Sequence, residues 1–246
     1  MSAGPFALWR WERLLADSPV FLEGLVATLL VAASALLLAL ILGIIFGLFS
    51  SSSIKILRYI ARVYVEFFQN TPLVIQIFFL YNALPYAGIV MNVFSIGLIG
   101  VGVYHGAYVA EVVRAGISSI PRGQREAARS QGFSYIQSMR WIILPQTITI
   151  ILPPLANQAV NLIKNTSVLA LIAGGDLMYR ADSWAANGTL SYGPAYLVTG
   201  ALYFLLCFPL VNWARRHEIR IKNRDTQAAP AVPAETSGSA AAKEPR

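Results

Sequence analysis

One cysteine, Cys207, is too few for a disulfide within the chain, and a single thiol builds no metal set. Histidine is scarce too. His105 and His217 are far apart and lack ligand spacing, which argues against a metal centre. Charge is also in short supply. Only 13% of the 246 residues are charged, against about 25% in a soluble domain. The deficit points to lipid as the main solvent. There is no phosphate loop of the form G-x-x-x-x-G-K-S/T, and no glycine is followed by lysine. The chain is therefore expected neither to bind nor to hydrolyse ATP by itself. A hydrolytic site is no better supported. His105 has no obvious serine partner, and Ser50 to Ser53 close an apolar run, as a helix terminus does.

What the chain has is apolar length, with 56% hydrophobic residues. A bilayer core needs about 20 apolar residues in a helix. Five segments meet or approach that length, roughly 24–50, 63–86, 95–117, 148–172 and 194–214. The first runs about 26 residues, longer than a signal-peptide core of 7–15, and is expected to be a retained span.

The net charge is +7, and the basic residues sit between apolar blocks, as membrane topology requires and a nucleic-acid patch does not. Arg10 and Arg13 precede the first span. Lys55, Arg58 and Arg62 follow it, and the next loop, Tyr86 to Asn92, has no basic residue. Arg114, Arg122, Arg125, Arg129 and Arg140 fill the third loop. The fourth has only Arg180, beside Asp176 and Asp182, and Arg215, Arg216, Arg220, Lys222 and Arg224 follow the last span. Basic and neutral loops alternate. The expected fold is all-α with five transmembrane helices, N-terminus outside and C-terminus cytoplasmic, and the third loop lies in the cytoplasm. From Asp225 onward, Ala, Pro, Ser, Glu and Gly dominate, a composition that cannot bury a core and predicts disorder.

The third loop, Pro121 to Pro145, has a readable local structure. Residues 123–131 are good helix formers, and Gly132 can end that helix in a left-handed conformation. Ser134 and Gln137 form a capping box for a second short helix. Pro145 ends that helix or kinks it into the next span. The product is a basic, amphipathic helix-turn-helix elbow. Its apolar residues Ala127, Ala128, Phe133, Ile136 and Trp141 need either a protein partner or the lipid surface.

Here a resemblance enters. Glu126-Ala127-Ala128, three residues, Gly132, nine residues, then Ile142-x-Leu144-Pro145 resembles the coupling-loop signature of binding-protein-dependent ABC importer permeases. In that family the elbow docks into a groove on a separate ATPase. The resemblance implies that role for Glu126, Ala127, Ala128 and Gly132, with Ile142, Leu144 and Pro145 completing the signature. It extends over about residues 20–215. Glu66 to Gln76, Gly106 to Ile117 and Lys164-Asn165-Thr166-Ser167-Val168 look like the polar amino acid branch (histidine, glutamate, glutamine, arginine and opine carriers). Asn165 departs from a common aspartate, and Gln69 from a common arginine. The resemblance implies an importer transmembrane domain at 20–215, an extracytoplasmic segment at 1–19 and a cytoplasmic tail at 216–246, disordered from 225. It also implies two ATPase subunits, a second copy or paralogous permease, and an extracytoplasmic amino acid binding protein. Membrane lipid is the surrounding medium, and no nucleic acid or cofactor is bound. ATP is used by the partners, and the location is the bacterial cytoplasmic membrane.

Polar residues inside spans carry a functional hypothesis in any membrane protein. Asn157, Asn161 and Lys164 follow i, i+4, i+7 and share a helix face, with Gln158 and Asn165 beside them. That face either lines an aqueous path or binds a neighbouring helix through amide hydrogen bonds. Lys164 can also reach for the outer interface with its long stem. Asn70, Thr71 and Pro72 interrupt the second span. Pro72 frees the Phe68 carbonyl, and the result is either a simple kink or a broken helix offering backbone groups to a polar substrate. Gln76, Thr166 and Ser167 join the candidate path. Glu111 either meets substrate or pairs with Arg114 one turn on. Tyr104 and Tyr108 share a face and can pack at a dimer seam. The alternative to an ATP-driven importer is an ion-coupled carrier or channel for small polar solutes, with Lys164 and Glu111 as coupling charges. A non-transporting membrane scaffold is a third reading.

Overall fold

The structure, a computed structural model, describes residues 4–187 and 190–228, with side chains through Ile221. Helices supply all the regular secondary structure among these residues. α1 (Leu8–Ala16) and α2 (Ser18–Ser50) lead into α3 (Lys55–Gln69) and α4 (Leu73–Phe78). A π-helical turn, Phe79–Ala83, and a 3-10 turn, Leu84–Ala87, extend α4. α5 (Val93–Ser119) precedes the elbow helices α6 (Arg122–Ser130) and α7 (Tyr135–Ser138). α8 (Leu144–Asn165), α9 (Leu177–Ala186) and α10 (Tyr192–Ala228) complete the chain.

α2 is apolar around its whole circumference, so its packing face is chosen by size rather than polarity. The buried stripe is Gly24, Thr28, Val31, Ala32, Ala35, Ala39, Gly43 and Gly47, while Leu30, Leu37 and Ile44 point away from the protein. Small residues let two backbones approach in lipid, where no hydrophobic force drives helices together. A Cβ on Gly47 would come 2.6 Å from Val113 Cβ of α5. α5 is the central helix. It packs on α2, α3, α4 and α8, and the main core gathers around its Ile96, Val101, Val109, Val113 and Ile117.

Among the described residues, four helical stretches are long and apolar enough to cross a membrane, or five when a bent pair is counted as one span. The bend lies where Asn70-Thr71-Pro72 predicts one, and it is far sharper than a kink: Lys55–Gln69 and Leu73–Ala87 meet at 96°. The freed backbone is satisfied locally. Asn70 Nδ2 donates to the Glu66 carbonyl at 2.7 Å, and the Thr71 hydroxyl donates to that of Phe67. Gln76 Nε2 reaches back to the carbonyls of Phe68 (3.3 Å) and Thr71 (3.1 Å).

Pro145 does not end the second elbow helix. The ladder widens into a π-turn over Met139–Ile143, and the helix continues, so that Tyr135–Ile172 is one 38-residue stretch. A proline near the start of a helical segment lacks only an N–H that the widened turn leaves without a partner. α10 also outruns its expected end, continuing through Ala228. The expected disordered tail from 225 is helical over its first residues, and the remainder lies outside the described residues.

The elbow and a terminal cap close opposite ends of the bundle. At the elbow, Gly132 takes φ +81° and Ser134 and Gln137 make the reciprocal capping box. Arg125 Nη2 donates to the Ile117 carbonyl at 2.8 Å, tying α6 to the end of α5. At the far end, Leu14 of α1, Phe21 of α2, Trp184 of α9 and Ala195 of α10 form a second core. Trp184 Nε1 donates to Asp17 at 2.8 Å, and Arg180 Nη1 pairs with Glu23 at 2.7 Å.

Candidate functional site

The polar residues of α8 and α5 meet in one cavity of about 460 Å³, lined by Tyr104, His105, Tyr108, Gln158, Asn161, Lys164 and Asn165. Helical spacing explains the set. Tyr104 and Tyr108 are one turn apart on α5, with hydroxyls 3.0 Å apart, and Gln158, Asn161 and Lys164 recur every three residues on α8. His105 is 2% exposed. The Asn165 amide nitrogen lies 3.0 Å from its Nε2. Donated from that amide, the bond leaves the ring proton on Nδ1, which has no hydrogen bond among the described residues. His105 stands about 18 Å from the start of α5 by helical rise, near the middle of that span. The cavity is therefore near the middle of α5 along its length, and Lys164 borders it while remaining exposed on one side.

Lys164 also borders a second chamber of about 350 Å³, with Ser167, Met178, Tyr196, Thr199, Gly200 and Tyr203. It forms no ion pair among the described residues. Among the described residues, it is the only formally charged side chain lining either chamber.

Other expected path residues lie elsewhere. Asn157 is exposed and lines neither chamber. Glu111 pairs with Arg114, whose Nε donates to Oε2 at 2.8 Å, as the simpler reading has it. Thr166 is fully buried, its hydroxyl on the Ile163 carbonyl at 2.7 Å. Thr71 and Gln76 line a separate apolar groove of about 400 Å³ with Phe67, Phe79 and Val103, and Asn70 is exposed beside it. Ser167 reaches the second chamber only.

In the elbow, Glu126, Ala127 and Gly132 are exposed, while Ala128 is 2% exposed and seats α6 on the protein. Ile136 and Trp141 are 75% and 65% exposed, an apolar pair left uncovered at this end. Ile143 is buried in the main core, with Ile142 and Leu144 packed beside it, and Pro145 is exposed.

His105 and Gln158 are the cavity residues that sequence reasoning undervalued. A lone histidine midway along a glycine-rich apolar span is the signal that could have pointed to them, but its partner Asn165 is 60 positions away.

Comparison with known proteins adds the following. A family model described as "Binding-protein-dependent transport system inner membrane component" matches residues 39–223. The "Probable glutamine ABC transporter permease protein GlnM" of Bacillus subtilis (strain 168) is 41% identical over 191 residues, covering 78% of this chain and 88% of that protein. The "Arginine transport system permease protein ArtQ" of the same organism is 33% identical over 208 residues, covering 84% and 94%. A solved structure, "Crystal structure of an amino acid ABC transporter with histidines", superposes with a TM-score of 0.79 at 33% identity, over 85% of this chain and 97% of the other. A methionine ABC transporter in an inward-facing conformation shares the fold at a TM-score of 0.58 and 17% identity.

Proposed function

The chain belongs to the inner-membrane components of binding-protein-dependent transport systems, and from that premise we propose that it is the permease subunit of an ATP-driven importer of polar amino acids. Its place is the bacterial inner membrane. It has no enzyme activity of its own and takes its energy from separate ATPase subunits.

The observation that carries this reading is the elbow. Two short helices project at one end of the bundle, tied down by Ala128 and the Arg125 bond, yet leave Glu126, Ala127, Ile136 and Trp141 uncovered. A solitary carrier has no use for such a structure. An ATPase groove covers it, with Gly132, Ile142, Leu144 and Pro145 holding the shape. The elbow end is cytoplasmic, by the basic residues around it. The far-end cap then faces the extracytoplasmic binding protein. A second copy or a paralogous permease completes the path, because Asn161 and Lys164 are open to one side of this single chain. The polar chambers are the substrate path, with Asn161, Lys164, Asn165 and Ser167 as contacts. The Asn70–Thr71–Gln76 break and Glu111 flank that path rather than line it. ATP binding shifts the balance between two states by stabilising the one in which the ATPases are closed.

The test is reconstitution. Liposomes with the permease, an ATPase and a binding protein from the same operon should take up labelled amino acid only with ATP. Uptake by the permease alone, driven by an ion gradient, would replace this reading with the ion-coupled carrier.

A further inference from the structure

We propose that a nest of oxygens beneath α9 holds one alkali-metal cation, with Asp176, Thr199 and Tyr203 as its side-chain ligands. The site goes beyond the importer reading and does not depend on it.

The fold buries three side-chain oxygens here and leaves them unused. Asp176 is 1% exposed and Thr199 is 4% exposed, yet Asp176 Oδ1 and the Thr199 hydroxyl have no hydrogen-bond partner among the described residues. The Tyr203 hydroxyl has none either, and its polar neighbours are Asp176, Thr166 and Thr28. Thr199 and Tyr203 are one turn apart on α10 and share a chamber wall with Met178 of α9. Thr28 and Thr166 are fully buried, and Thr28 Oγ1 accepts the Leu177 N–H at 3.0 Å, which brings α2 to the same spot. Buried polar groups are rarely left without partners.

Backbone closes the nest. A Cβ on Gly174 would lie 3.1 Å from Asp176 Oδ1 and 2.8 Å from the Leu169 carbonyl oxygen, so the two oxygens converge on space that glycine leaves open. The Leu169 carbonyl accepts the Gly174 N–H at 2.9 Å and keeps a second lone pair. It belongs to the 3-10 turn that ends the long helical stretch from Tyr135. The carbonyl end of a helix carries partial negative charge, and broken helices in transporters hold sodium with such ends.

Charge decides what fits. A buried carboxylate is costly unless an opposite charge replaces its water. Asp176 forms no ion pair among the described residues: Arg180 is taken by Glu23, and Lys164, at the chamber edge, is exposed. A water molecule satisfies the hydrogen bonds but leaves the charge standing, whereas a cation answers both. The donors are all hard oxygens, which suit alkali and alkaline-earth ions rather than transition metals. With one carboxylate, a divalent ion would bury a net charge and a monovalent ion does not. Asp182, exposed and held by the Tyr196 hydroxyl at 2.6 Å, adds negative charge beside the chamber. The ion ties α9 to α10 and to the end of the long stretch, so sodium tightens the far-end cap.

The test uses the full-length chain in lipid nanodiscs, in sodium chloride and in choline chloride at equal ionic strength. Thermal unfolding and binding of radiolabelled sodium are the two readouts. At pH 7.5, sodium should raise the wild-type Tm by about 4 °C and saturate, with one ion bound per chain. In choline the carboxylate is uncompensated, and Asp176→Asn should melt above the wild type. Sodium should neither shift that variant nor bind to it. Thr199→Val and Tyr203→Phe should each raise the half-saturating sodium concentration about tenfold. Asp182→Asn should respond as the wild type does. Equal wild-type Tm in the two salts, with no sodium bound, would overturn the site and leave the nest to water or a proton. A sodium response kept by Asp176→Asn, or lost in Asp182→Asn, would overturn the assignment to Asp176.

Discussion

Asp176 shows how much depends on one buried group. It caps α9 with one oxygen, 3.0 Å from the Met178 N–H, and the other has no partner among the described residues. Burial pushes its pKa up from 3.8 to about 6, against the pull of nearby backbone N–H groups. Its folded pKa is above the unfolded one. Its contribution to stability is therefore full below the unfolded value and is lost as pH rises through about 6. Asp176→Asn keeps a good cap without the buried charge. Thermal unfolding of the purified protein in sodium-free buffer should show a higher Tm for this variant than for wild type at pH 7.5. The difference should shrink as the pH falls to about 4.5. An equal gap at both values would show that the carboxylate is not penalised in the fold. Gly132 makes the complementary case. Its φ of +81° strains any side chain, yet a Cβ there meets nothing within 4 Å. Gly132→Asn, which tolerates the left-handed region, should therefore keep ATP-dependent uptake. Gly132→Leu should cost about 1 kcal/mol of local strain and, by thrusting bulk at the docked ATPase, abolish uptake while the spans still insert. Normal uptake in Gly132→Leu would return the elbow to the lipid surface.

At the scale of the element, the broken helix is held by more than its proline. Asn70, Thr71 and Gln76 all bond carbonyls at the break. Pro72→Ala should leave the 96° bend in place, whereas Gln76→Leu strips two part-buried carbonyls of a donor and should cost about 1 kcal/mol. A loss in Pro72→Ala with none in Gln76→Leu in a denaturation series would show that the proline alone makes the bend. This break was legible in the sequence because its cause is local, three residues with one ring. The Ser134–Gln137 box and the Gly132 turn were legible for the same reason. The far-end cap was not. Leu177 presses so closely on α2 that a Cβ on Gly24 would lie 2.8 Å from its Cα, and no periodicity announces a contact so distant in sequence. The passage of the helix through Pro145 was missed because a proline reads as a stop unless the ladder before it widens. The Asn161–Lys164 face was visible from spacing, but that it meets His105 of α5 is a fact of tertiary packing.

For the whole molecule, the proposed orientation rests on the basic residues and is testable directly. Cysteine placed at Ser134 should react only with reagent added from the cytoplasmic side, and cysteine at Asn187 only with reagent from outside, each in a Cys207→Ala background. Labelling of both from one side would refute the five-span arrangement. That arrangement also joins the elbow to the chambers in one rod, since α7, the π-turn, α8 and the 3-10 turn after it form a single stretch from Tyr135 to Ile172. Ser134 and Lys164 are then about 45 Å apart along one axis. As a lever pivoting at the elbow, this rod turns a tilt of about 5° into a stroke of about 4 Å at Lys164, roughly the width of an amino acid backbone. Under the proposed coupling, the ATPases need supply only a small rotation, and the gain is set by geometry rather than by force. Stiffness then limits the machine. The π-turn at Met139–Ile143 and the Pro153-Pro154 pair are where the rod has lost ladder bonds and bends most easily. Compliance at those two points decides how much of each stroke reaches the cargo.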